Sequence, residues 1–134
     1  MKVKIDGREY AVVGKAHYTT RNTGQKYTKI FLEDHKLLFI TEDNVAYFGT
    51  DLGEITEFNG FPEKAMYNGH EMKLVQNDHQ IELNVEFGKG EGDCEYWDYE
   101  GDDSSWFVSV AVLSDGTRSD LVQKMIDIET VEGI

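Results

Sequence analysis

Cysteine and proline are nearly missing from this 134-residue chain, with Cys94 and Pro62 the only one of each. A lone cysteine excludes an intrachain disulfide, and with it the disulfide-stapled scaffold of small secreted domains, so a reducing cytoplasm is the expected compartment. No apolar run approaches the roughly 18 residues that span a bilayer as a helix, and the N-terminus MKVKIDGREY lacks the apolar core of a signal peptide. A soluble protein without membrane insertion is expected.

Catalytic signatures are missing too. There is no GxSxG elbow for serine chemistry, and His17, His35, His70 and His79 show no HxxxH spacing. With one cysteine, the local ligand cluster of a zinc site is also lacking. The glycine run Gly88-Lys89-Gly90-Glu91-Gly92 fails GxGxxG at its third glycine and no Gly-Lys-Ser/Thr follows, so it reads as a plain, flexible loop.

Basic residues are scarce after the first third. Residues 1–40 carry eight Lys or Arg against four Asp or Glu, a balance of +4, whereas residues 41–134 carry five against twenty-two, a balance of −17. So acidic a surface repels phosphate backbones and anionic headgroups, which argues against nucleic acid as a partner. A protein partner is the expected one.

What is present points to a folded β-rich domain. Hydrophobic residues make up 40% and aromatics 12% of the chain, more than a disordered chain of net charge −13 carries. Thirteen glycines are spread at intervals that suit turns and bulges. The size is that of one domain.

Strand patterns follow one another. Val3-Lys4-Ile5, the turn Asp6-Gly7 and Glu9 to Val13 read as strand, turn and strand, with Gly14 marking a bulge. Tyr27 to Leu32 and Lys36 to Thr41 form a hairpin around Glu33-Asp34-His35, and Asn44 to Phe48 continues the meander. Glu54 to Phe58 is a short alternating run ended by Asn59-Gly60-Phe61-Pro62, and residues 59–69 read as an irregular crossing. Glu71 to Val75 and Gln80 to Phe87 predict a second hairpin around Gln76-Asn77-Asp78-His79. The likeness of FLEDHKLLF to LVQNDHQIEL raises a duplicated meander, although short polar turns converge easily. In the tail, Ser119 to Ile128 fits either a short helix or a strand that closes the sheet. The expected fold class is all-β: an antiparallel meander forming a sandwich or a partly closed barrel, with one short C-terminal helix as an alternative at the end.

The densest signals lie in EGDCEYWDYEGDDSSWFVSVAVL, residues 91–113. Alternation places Cys94, Tyr96 and Asp98 on one face and Glu95, Trp97 and Tyr99 on the other, then resumes at Trp106 after the turn Gly101-Asp102-Asp103-Ser104-Ser105. Cys94 reads as a small buried side chain rather than an activated thiolate. Trp97, Tyr99 and Trp106 have two readings, a packed core around the hairpin or an aromatic surface for a ligand or partner. No cofactor is expected unless Asp98, Glu100, Asp102 and Asp103 supply oxygen ligands to a divalent cation such as calcium, since seven acids and no base occupy residues 91–103. The spacing is not that of the twelve-residue calcium loop.

The spacing of Tyr10 and Gly14, the run QKYTKIFLE, the phrase FITEDNVAYF and the later YWDYEGDDSSWFVSVAVLSDG together resemble a bacterial family called domain of unknown function 4178. Asp98-Tyr99-Glu100 matches that family's Asp-Tyr-Glu phrase, whereas Tyr27 stands at its tryptophan, Lys29 at its first glutamate and Ala111 at its later one. The resemblance implies a β-rich fold and a bacterial cytoplasm, and no catalytic residue. Two functional classes therefore follow. One is a non-catalytic binding or assembly module, with a homodimer through a free edge strand as one route. The other is a small-ligand or cation-binding barrel, with metal-assisted hydrolysis as its chemistry.

Overall fold

The computed structural model describes residues 1–103 and 106–134. Eleven strands follow in order: β1 (Lys2–Ile5), β2 (Arg8–Thr20), β3 (Lys26–Leu32), β4 (Lys36–Thr41), β5 (Ala46–Asp51), β6 (Lys64–Tyr67), β7 (His70–Gly88), β8 (Cys94–Gly101), β9 (Trp106–Leu113), β10 (Arg118–Ile126) and β11 (Val131–Glu132). Among the described residues the helical pieces are two 3-10 turns, Thr56–Phe58 and Ile128–Thr130. No helix among the described residues is long and apolar enough to cross a membrane.

β2 carries the closure. It pairs with β3 on one side and with β7 on the other, so the ladder runs β2-β3-β4-β5-β10-β9-β8-β7 and returns to β2. The result is a closed eight-stranded antiparallel barrel with β6 on β7, and β1 and β11 beyond β2, as additions. The barrel alternative thus holds, fully rather than partly closed, and the tail forms a closing strand between β5 and β9 instead of a helix. Closure leaves β6 and β11, four and two residues long, as the ends of the sheet.

The expected second hairpin is a correction. Residues 70–88 form one 19-residue strand that runs straight through Gln76-Asn77-Asp78-His79. Its ladder is interrupted at Val75, where Leu74 pairs with Tyr99 but Gln76 with Asp98. That extra residue turns the strand over: Met72 and Leu74 pack outside the barrel, while Asp78 and Gln80 are buried in it. The polar run is therefore the lining of a polar interior. True turn chemistry marks the first hairpin, where Asp34 and His35 hold φ of 58° and 59°. The two resembling segments are thus a hairpin and a continuous strand. Glu54 to Phe58 is likewise a 3-10 turn rather than a strand, and the crossing that follows contains β6.

Side chains sort into two layers of different chemistry. The barrel's outer face is apolar and covered. On one side β1 and β11 bring Val3, Ile5 and Val131 against Ile30, Leu32 and Leu38. On another, the segment from Ile55 to Tyr67 lies over Met72, Tyr99, Val108 and Val110, with Phe58 fully buried beneath it. Burying a side chain of that size contributes about 2–3 kcal/mol. Asp120 pins this cover. It has no exposed surface and accepts from the Ile55 N–H at 2.8 Å and from Arg118 through Nε at 3.0 Å and Nη2 at 2.6 Å.

The glycine run is a loop, but a tethered one. A Cβ on Gly14 would lie 2.2 Å from the Lys89 nitrogen, and one on Gly88, which holds φ of +62°, would lie 2.2 Å from the Val13 oxygen. Only glycine permits the chain to cross β2 this closely. The crossing then carries Glu91 into the barrel.

Candidate functional site

Inside the barrel, the inward faces of β2, β3, β7 and β8 are polar and aromatic. Lys29 is ion-paired with Glu91, their side chains only 10% and 11% exposed. Gln80 donates to Glu91 at 3.1 Å and accepts from the Tyr27 hydroxyl at 2.9 Å. The Glu91 N–H donates to the Tyr18 oxygen at 3.0 Å, and Tyr18 in turn donates to Glu82 at 3.2 Å. Burial pushes the Tyr18, Tyr27 and Tyr96 hydroxyls far above the usual phenol range, so they act as neutral hydrogen-bonding groups. Burial also works to raise Glu91, but the Lys29 charge overrides it and holds the carboxyl below its ordinary value. This network closes one end of the barrel.

The other end is open. A cavity of about 320 Å³ lies at the mouth between Tyr27, Phe39, Tyr47, Phe107, Asp98 and Gln123. Four of these groups form an aromatic wall. Tyr27 stacks on Phe39 at 4.6 Å between centroids, Phe39 meets Tyr47 edge-on at 5.9 Å, and Tyr47 meets Phe107 edge-on at 5.7 Å. The wall arises from strand alternation, since each ring occupies an inward position on its own strand. Glu42, Asp43 and Lys26 stand in the lining between β3 and β5.

Two polar groups define the deeper part, which also borders a smaller space of about 70 Å³ around Lys29, Gln80 and Cys94. Asp98 is partly buried and lines both spaces. Burial pushes its carboxyl up to about 6, opposed by hydrogen bonding from Ser109, its cross-strand partner, and by the charge of Lys29. Gln123 packs over Gly49, where a Cβ would lie 2.8 Å from its own. Its Oε1 is the buried side-chain atom left without a hydrogen-bond partner among the described residues. An unanswered buried acceptor costs about 1–3 kcal/mol.

The residues singled out from sequence are divided by the barrel wall. Tyr99 is fully buried outside it and donates to the Pro62 carbonyl at 2.7 Å. Trp97 stacks on Phe61 at 3.7 Å between rings only 4° apart, and Trp106 packs against Tyr67 and His70. Tyr99 is thus a core residue, whereas Trp97 and Trp106 pack on one side and stay partly exposed. Of the four acids, Asp98 lies in the cavity, whereas Asp102 sits at the hairpin end, 2.8 Å from His70 Nδ1. Glu100 pairs in register with Phe107, and the Asp103 N–H donates to Asp102. Ser104 and Ser105 of that turn lie outside the described residues. No group of three His, Cys, Asp or Glu side chains among the described residues is placed to hold a metal ion. Cys94 is buried, its thiol pushed up to about 12 by burial, which fits the inert reading. Sequence reasoning missed Gln123 and the four-ring wall; their signal was an inward register that only closure reveals.

No known family model matches this chain, and neither curated proteins nor solved structures include a significant match to it.

Proposed function

We propose that the barrel binds a small organic molecule in the cavity at its open end. The observation that carries this reading is the cavity itself: about 320 Å³, walled by four rings, with Asp98 and Gln123 in its lining. Ligand sites have this character, mostly apolar walls with a few convergent polar groups, and eight-stranded barrels are wide enough to hold one small ligand. The assembly reading has less support, because the rings that would form its surface are packed against Phe61, Pro62 and Tyr67. Tyr27, Lys29 and Ala111, where the chain departs from the family it resembles, all face the interior spaces.

The test is titration with the neutral fluorescent probe N-phenyl-1-naphthylamine. Saturable binding of one probe per chain is expected. Val75 lines the mouth and is 53% exposed, so Val75→Trp places an indole across the opening without disturbing the core. That variant should weaken the probe by about tenfold or more, a change of roughly 1.4 kcal/mol. Absence of saturable binding, or binding that Val75→Trp leaves unchanged, overturns the proposal.

A further inference from the structure

We propose that the ligand of this cavity is an organic cation, an amine whose N–H groups reach Asp98 while its carbon skeleton lies against the aromatic wall. This rests on the reading of the cavity as a binding site and adds the ligand's chemistry. Asp98 is the carboxylate that borders both interior spaces, and Gln123 lines them beside it.

Charge favours the same ligand. Asp98, Glu42 and Asp43 border the cavity against one lysine, Lys26. The deeper cation, Lys29, is held by Glu91 and sits over the Tyr18 ring at 5.2 Å. An anionic ligand would meet Asp98 as a like charge with no free cation beside it at depth, whereas an ammonium gains a charge-assisted hydrogen bond there. The ring faces of the wall carry negative quadrupoles and attract the same cation. A neutral apolar ligand would use the wall but leave Asp98 desolvated without a partner.

Three probes of one skeleton separate these cases: 2-phenylethylamine, 2-phenylethanol and phenylacetate, each displacing the naphthyl probe at pH 8. The amine should bind about tenfold more tightly than the alcohol, and phenylacetate more weakly than either. Asp98→Asn should bring the amine to within about twofold of the alcohol and leave the alcohol's own affinity unchanged. If the alcohol or the acid matches the amine, or the amine's advantage survives Asp98→Asn, the cation proposal is overturned while the cavity reading stands. Failure of the naphthyl probe itself to bind removes both.

Discussion

Replacing Asp98 with asparagine should make the free protein more stable above neutral pH. Its carboxyl is pushed from 3.8 to about 6, with burial the largest cause. A raised acid binds its proton more tightly in the folded chain than in the unfolded one. Ionisation therefore opposes folding in full above about pH 6, and the penalty fades as pH falls toward 3.8. A shift of roughly two units corresponds to about 3 kcal/mol, and solvent reaching the carboxyl through the cavity reduces this to about 1–3 kcal/mol. In a domain of this size each kilocalorie moves Tm by about 3–5 °C. Asparagine keeps the shape and can still bond to Ser109 while removing the charge. The Tyr27 and Tyr96 hydroxyls and the Cys94 thiol are all raised by burial and stay outside this window. Urea unfolding followed by tryptophan fluorescence at pH 8 and pH 4 measures the difference directly. A variant equally or less stable at pH 8, or a gain that does not shrink toward pH 4, would refute the argument.

Two further variants test the frame around the cavity. Glu91→Ala strands Lys29 in the closed end of the barrel and removes an acceptor from Gln80, so a loss of about 3–5 kcal/mol in urea unfolding is expected; a loss below about 1 kcal/mol would mean that Lys29 escapes to water. Because Lys29 holds the Glu91 carboxyl below its ordinary value, this pair supports the fold above about pH 4.5 and loses that support as pH falls through the lowered value. Asp120→Ala removes the acceptor of Ile55 and of the Arg118 fork, with a similar cost of about 3–5 kcal/mol. Limited proteolysis should then cut first within residues 52–62, and unchanged protection there would show that apolar packing alone holds the cover.

Period-two alternation revealed the strands but not their sides. In residues 94–99 it separated Cys94, Tyr96 and Asp98 from Glu95, Trp97 and Tyr99, and an apolar-inside rule would send the rings of Trp97 and Tyr99 inward. The barrel does the reverse, because its outer wall is roofed by Ile55 to Tyr67 and by β1 and β11, which makes the outer face a core. The same inversion disguised residues 76–80: a polar run bounded by apolar residues looks like a turn unless a polar interior awaits it. The first hairpin was legible because Asp34 and His35 supply local turn chemistry. Closure was not, since the pairing of Gly14 with Gly88 joins positions far apart in the chain, and no local pattern encodes it. Asp98 stood out as one acid among seven, and its burial follows only from closure.

The treatment of buried carboxylates gives the cavity its meaning. At the closed end Glu91 faces Lys29, under the outer cover Asp120 faces the Arg118 fork, and Asp78 accepts backbone N–H groups of His79 at 2.7 Å and Asn22 at 3.3 Å. Each is answered by a positive charge or by main-chain donors, as buried anions require. Asp98 is the exception, answered by a hydroxyl and by a lysine already committed elsewhere. Nothing in the geometry of an eight-stranded barrel forbids a cation at an adjoining inward position; Lys29 shows that the interior accommodates one. An interior that gives these carboxylates full partners and leaves Asp98 with less has retained a local cost where it borders open space. Sites that bind carry such costs, because a group satisfied within the fold has less to offer a ligand. The stability gained by Asp98→Asn and the affinity it removes should therefore arise from the same charge.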